Sequence, residues 1–146
     1  MTNKLKRMYG TWSSPISPKL MTAVRRFNNI QWDGDTLIWS ETRGTQSLLV
    51  AQTGLEAPRE LTEPTISVRG HVGYGGGEFT VRGGVVVFSA DGRLYRQPLS
   101  GGRPRPITPA FGAAAAPAIS PDGQWIVFVM SYEGVDGLAL VTARTR

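Results

Sequence analysis

Ile119–Ser–Pro–Asp–Gly–Gln–Trp–Ile–Val–Phe–Val129 is a turn followed by a short apolar strand, and its recurrence along the chain decides the fold. Asp122–Gly123 is a strong turn signal, because Gly tolerates positive φ and an Asp side chain bonds its own backbone. Trp125 to Val129, rich in β-branched and aromatic residues, reads as a buried strand. Alone the motif says only "β". Weaker relatives upstream say more.

Working back from it, Asp33–Gly34–Asp35 is a turn, Thr36 to Trp39 a strand, and Glu41 to Thr45 a polar reversal. Ser47 to Ala51 is a second strand and Arg59 to Thr62 a short outer one. The next unit runs Glu78 to Arg82, a turn at Gly83–Gly84, Val85 to Phe88, a reversal at Asp91–Gly92, Leu94 to Gln97, and Arg105 to Thr108. The third has Trp125 to Val129, a reversal from Ser131 to Gly137, and Leu138 to Thr142. Trp39, Phe88 and Phe128 hold one position, separated by 49 and 40 residues. Leu48, Leu94 and Leu138 hold the next, separated by 46 and 44. Leu61 and Ile107 hold a third, 46 apart, inside the similar phrases Arg59–Glu–Leu–Thr–Glu–Pro64 and Arg105–Pro–Ile–Thr–Pro109.

Repeats of roughly 40–50 residues with four short strands mark propeller blades. A single blade cannot cover both of its apolar faces, so blades stack. The expected fold is all-β: a partial β-propeller of about three four-stranded antiparallel blades. The expected organisation is a lead-in over 1–27, one blade over 28–64, a second over 65–109 and an incomplete third over 110–146. Leu20 to Phe27 fits either a short helical turn or an edge strand. The rival architecture is a β-sandwich with chance similarity among its hairpins. The third unit lacks an Arg-x-Ile/Leu-Thr phrase, and a ring needs about four to eight blades. The expectation is therefore a piece of a longer protein, or a chain that assembles with copies of itself or with a partner.

Composition agrees. The chain has 146 residues, 40% of them apolar, with 18 Gly and 10 Pro, which suits a turn-rich β protein. The formal charge of +5 is scattered beyond Lys4, Lys6 and Arg7, with no basic stripe interleaved with aromatics, so no nucleic-acid partner is expected. Zero cysteines excludes disulfides and thiolate metal sites and favours a cytoplasmic setting. No signal-peptide core or membrane-length apolar run occurs, and no membrane partner is expected.

Catalytic signals are sparse. His71 is the sole histidine, and no Gly-x-Ser-x-Gly elbow occurs. No catalytic residue, metal ligand or cofactor is expected within these residues. Asp33, Asp35, Asp91 and Asp122 sit in turns beside Gly, where a structural role accounts for them. The odd segment is Val68–Arg–Gly–His–Val–Gly–Tyr–Gly–Gly–Gly–Glu–Phe79. Its glycines resemble a phosphate cradle, yet no Gly-Lys-Ser/Thr follows. One reading is a backbone crossing near the crowded propeller axis. The sharper one makes Arg69, His71, Tyr74, Gly75, Gly76 and Gly77 a surface facing a central tunnel or a second domain, with Arg69 engaging a carboxylate. Trp12, Trp32, Trp39 and Trp125 are expected to pack between blades, each indole nitrogen needing a partner.

Tyr9–Gly–Thr–Trp–Ser–Ser–Pro–Ile–Ser, Val24 to Phe27, Gln31–Trp–Asp–Gly–Asp and Gly73–Tyr–Gly–Gly–Gly–Glu–Phe79 resemble the opening of a bacterial prolyl oligopeptidase-family serine peptidase, of the kind labelled acylaminoacyl peptidase or dipeptidyl aminopeptidase. Phe88–Ser89, Leu94–Tyr–Arg–Gln97 and Ile119–Ser–Pro–Asp–Gly123 continue the resemblance over nearly the whole chain. It implies a seven- or eight-bladed N-terminal propeller over a C-terminal α/β-hydrolase domain carrying Ser, Asp and His. That hydrolase would cleave short peptides, with the propeller limiting access. No triad position falls within this chain, so the fragment itself is expected to be inactive. Many relatives carry Arg-Val-His-Glu-Tyr-Gly-Gly-Gly where this chain has His71–Val–Gly–Tyr–Gly–Gly–Gly77, so that histidine and glutamate are not carried over. The alternatives are a non-enzymatic, TolB-like propeller module and a self-assembling partial propeller.

Overall fold

In a computed structural model of the chain, which describes Met8, Gly10, residues 24–70, Val72 and residues 77–143, two-residue turns set the strand boundaries. At Asp91–Gly92 (φ 49° and 72°) and Glu133–Gly134 (φ 49° and 78°) both central residues are left-handed, as a type I′ hairpin requires. The strands among the described residues are β1 (Arg25–Asp33), β2 (Thr36–Arg43), β3 (Gln46–Thr53), β4 (Arg59–Glu60), β5 (Phe79–Arg82), β6 (Val85–Ala90), β7 (Arg93–Pro98), β8 (Arg105–Pro106), β9 (Ala113–Ile119), β10 (Trp125–Tyr132) and β11 (Val135–Thr142). They form three antiparallel sheets, ordered β1-β2-β3-β4, β5-β6-β7-β8 and β9-β10-β11, and none closes on itself. This is a partial β-propeller, and of the Leu20 to Phe27 stretch the residues from Arg25 on form an edge strand among the described residues, while residues 20–23 lie outside them.

Stacking the sheets makes two cores. Between the first and second sheets lie Ile38, Leu49, Ala51, Phe79, Val81, Val86, Phe88 and Ala90; between the second and third lie Val87, Leu94, Ala114, Ile126 and Phe128. The second sheet is thus covered on both faces, as its run Val85–Val–Val–Phe88 demands. Alternate residues of β6 go to opposite cores.

One register expectation needs correcting. Trp39, Phe88 and Phe128 pair with Val50, Tyr95 and Ala139, and the next residues pair with Leu49, Leu94 and Leu138. The first-sheet counterpart of Leu94 is therefore Leu49, not Leu48. Leu49 and Leu94 are both fully buried, and each donates its N–H to a threonine hydroxyl two residues past the outer strand, Thr62 at 3.1 Å and Thr108 at 2.9 Å. A one-residue slip moves a side chain to the opposite face of the sheet. In Leu48–Leu49 both residues are apolar, so the pattern does not reveal the slip.

The first strand of the third sheet, β9, is not located by the sequence pattern. Ala113–Ala114–Ala115–Ala116 carries little strand propensity, but small side chains suit the close approach of β5 and β9. The strand is bulged: Val127 pairs with Ala118 but Val129 with Ala115, and Ala116 stands at φ 50°.

Polar side chains of β1 knit the first sheet to the second. Gln31 donates Nε2–H to the Phe79 carbonyl at 2.9 Å and accepts from Val81 N–H at 3.2 Å. The Asp33 carboxylate accepts from Gly83 N–H at 2.9 Å and Gly84 N–H at 2.6 Å. Its role extends beyond its own turn, since it holds the tip of the neighbouring hairpin. Asp33→Ala is expected to cost about 1–2 kcal/mol, read as a lower urea midpoint, with Asp33→Asn costing less. An unchanged midpoint for the alanine variant would sink this role.

Candidate functional site

The segment between the first and second sheets carries the expected site residues. It crosses by splitting its backbone bonds: Val68 N–H donates to the Ser47 carbonyl of the first sheet and Arg69 N–H to the Ser89 carbonyl of the second, both at 2.8 Å. Val68 is fully buried and plugs the seam. The Arg69 guanidinium donates to the Thr45 carbonyl at the β2–β3 hairpin tip. Gly77 has φ +42°, and a Cβ there would lie 3.3 Å from Ala116 Cα. That is a close backbone approach between the second and third sheets. His71, Tyr74, Gly75 and Gly76 lie outside the described residues.

Beside Gly77 lie two groups outside the expected site residues. Ser89 N–H donates to the Glu78 carbonyl at 2.9 Å, continuing the β5–β6 ladder. Glu78 Oε2 and Ser89 Oγ are both sealed from solvent without a hydrogen-bond partner among the described residues. Buried oxygens of this kind are normally satisfied by a bound donor such as water. Glu78 falls within the glycine-rich stretch already noted. Ser89 sits in an apolar strand and carries no local signal.

The first sheet holds a buried carboxylate on its outer face. Glu41 is 2% exposed and accepts from Trp39 Nε1 at 3.1 Å and from the Arg43 guanidinium, which also reaches Glu60. Burial pushes the Glu41 carboxyl up. Hydrogen bonds from Trp39 and Arg43, with the charges of Arg43 and Arg25, outweigh it and hold the carboxyl below its ordinary value. A depressed native value gives stability that is present above the unfolded value of about 4.3 and is lost as pH falls through the folded one. Glu41→Gln is expected to cost about 2 kcal/mol at pH 7, and the gap between parent and variant urea midpoints should narrow near pH 3. A gap independent of pH would overturn this account.

Trp39 therefore finds its expected nitrogen partner, but it shares the outer face of the first sheet with Glu41 and packs in neither core between the sheets. Trp32 and Trp125 do not pack between sheets: they are 65% and 43% exposed, on the outer faces of the first and third sheets. Trp125 shares its face with Val127, Leu138 and Leu140, all exposed. Trp12 lies outside the described residues. The Ser120–Pro–Asp–Gly123 turn is braced from within: Asp122 accepts from the Ser120 hydroxyl and from Gln124 N–H at 3.0 Å, and Ser120 Oγ accepts from Trp125 N–H at 3.0 Å; Arg82 of β5 also donates to its Pro121 carbonyl at 3.4 Å. These donors, the Ser120 hydroxyl first, hold the Asp122 carboxyl below its usual range. Among the described residues no group of three His, Cys, Asp or Glu is placed to hold a metal, and no helix is long and apolar enough to cross a membrane.

No protein-family model matches the chain, and no curated protein matches it. Among solved structures, a Mycobacterium tuberculosis puromycin-hydrolysing peptidase is similar, with a TM-score of 0.70 and 31% identity over 95% of this chain. The chain spans 23% of that peptidase's length. Its three stacked antiparallel sheets are thus a peptidase-related fold.

Proposed function

We propose that this chain forms the first blades of the propeller domain of a serine peptidase of the prolyl oligopeptidase family, acylaminoacyl or dipeptidyl aminopeptidase in kind. In the parent enzyme it limits access to a C-terminal α/β-hydrolase domain acting on short peptides in the cytoplasm, and it has no peptidase activity of its own. The observation that carries this reading is the 31% identity to a puromycin-hydrolysing peptidase over 95% of the chain. The Tyr9–Gly–Thr–Trp opening and the Gly73–Phe79 segment support it independently. The outer face of the third sheet, with Leu138 80% and Leu140 60% exposed, is where a following blade would pack.

The test compares two proteins on chromogenic acylaminoacyl and dipeptidyl substrates and on puromycin. The chain alone is expected to give no turnover above buffer. The product of the full reading frame that contains it is expected to hydrolyse at least one of them and to lose activity to a serine-directed inhibitor. Inhibitor-sensitive turnover by the chain alone would overturn the proposal. So would a full reading frame without a Gly-x-Ser-x-Gly elbow, which would favour a non-enzymatic propeller module.

A further inference from the structure

Comparing the first and second sheets position by position exposes a departure from the repeat. In the first, Arg59 of β4 stands opposite Ala51 of β3, and its guanidinium bridges to the Leu99 carbonyl of the second sheet. In the second, Arg105 of β8 holds the place of Arg59, and the residue opposite it is Arg96 of β7. An alanine has been exchanged for a second cation directly across the strand. Like charges so placed repel, and they weaken the pairing unless an anion lies between them. Arg103 joins them. It precedes Arg105 by two residues and borders the same cleft as Arg96 and Arg105. Pro104 and Pro106 fix φ beside both arginines and limit the entropy lost on holding them.

Arg96, Arg103 and Arg105, with Pro98 and Gly102, line a cleft of about 310 Å³. No carboxylate among the described residues lines it. Arg96 also borders a neighbouring cleft that contains Asp33 and Asp122. Neither carboxylate pairs with Arg96: Asp33 accepts from the N–H groups of Gly83 and Gly84, and Asp122 accepts through Oδ1 from Ser120 and Gln124. Several other arginines have acceptors: Arg43 has Glu41 and Glu60, Arg69 has Thr45, and Arg93 has the Thr108 carbonyl at 2.7 Å. Exposed Arg25 and Arg26 of β1 have none among the described residues, but they line no cleft with Arg96. The three around this cleft have no hydrogen-bond or ion-pair acceptor among the described residues.

We propose that the β7–β8 hairpin is an oxyanion site for a phosphoryl group, held by Arg96, Arg103 and Arg105. Three guanidinium forks suit a tetrahedral, doubly charged anion, each pairing N–H groups with phosphoryl oxygens. A single carboxylate would leave most of the charge uncompensated. The site lies on the outer strands of the second sheet, away from the β5–β9 seam, and does not depend on the peptidase reading.

Thermal unfolding of the chain in low-salt buffer at pH 7.5, with inorganic phosphate or pyrophosphate added, tests the site. The expected result is a saturable rise in Tm, about 4 °C at a phosphate concentration ten times the dissociation constant. Pyrophosphate should act at a lower concentration. Arg96→Gln and Arg105→Gln should abolish the rise without lowering the Tm measured in the absence of phosphate; Arg26→Gln, an exposed arginine of β1, should retain it. The same rise with sodium chloride at matched ionic strength would overturn the proposal, as would its persistence in both cleft variants. If a cleft variant does not fold, phosphate titration of the parent by amide NMR decides. Shifts centred on residues 96 and 102–105 support the site, and shifts centred elsewhere overturn it.

Discussion

Phe88→Ala is expected to cost about 4 kcal/mol, the upper range for truncating a buried aromatic. Phe88 is fully buried in the seam between the first and second sheets and stacks on Tyr95 with ring centroids 5.8 Å apart. Its removal empties the middle of the second sheet, whose other face is packed against the third and cannot easily collapse into the space. A domain of this size has a total stability of about 5–15 kcal/mol, so the variant should be largely unfolded at moderate urea. The control is Phe111, which is 52% exposed and meets Tyr132 edge-on at 5.3 Å. Phe111→Ala should cost under about 1 kcal/mol. Equal urea midpoints for the two variants would refute the stacked-sheet core.

Gly112→Ala should be nearly as damaging, at about 3 kcal/mol, for a different reason. Its φ is +71°, and a Cβ there would sit 2.5 Å from the Ser131 carbonyl oxygen. That acceptor is backbone and cannot swing aside. Gly92, at the β6–β7 hairpin tip, faces the Gly112 carbonyl from the other side, where a Cβ would lie 3.2 Å from it. Ala114 N–H also donates to the Gly92 carbonyl at 2.9 Å, so three backbone segments meet with no room for side chains. Gly123→Ala separates strain from crowding: its φ of +69° is similar, but the space around it is open. It should cost about 1 kcal/mol. If both glycine variants lose the same stability, crowding at Gly112 is not the cause.

The hairpins were legible because their causes are local. Asp91–Gly92 and Asp122–Gly123 announce reversals, and Val85 to Phe88 announces a strand covered on both faces, through residues only a few positions apart. β9 was not legible. Alanine carries little strand preference, and only the neighbouring strands draw Ala113–Ala116 into a ladder. The expected site surface was legible as an oddity of composition. Where described, Arg69 and Gly77 hold structural contacts, the first on the Thr45 carbonyl and the second against Ala116.

The sequence by itself determined the all-β class, the repeat and most strand positions, because turn chemistry and alternation act over a few residues. Tertiary structure decided what those residues touch. It placed Leu49 rather than Leu48 in the seam, turned Asp33 onto the N–H groups of Gly83 and Gly84, and set Arg96 against Arg105 where the first sheet has Ala51. The reason is physical. A side chain's partner on another strand or sheet is chosen by how whole sheets stack and slide into register, and that choice sums many weak contacts between residues far apart in the chain.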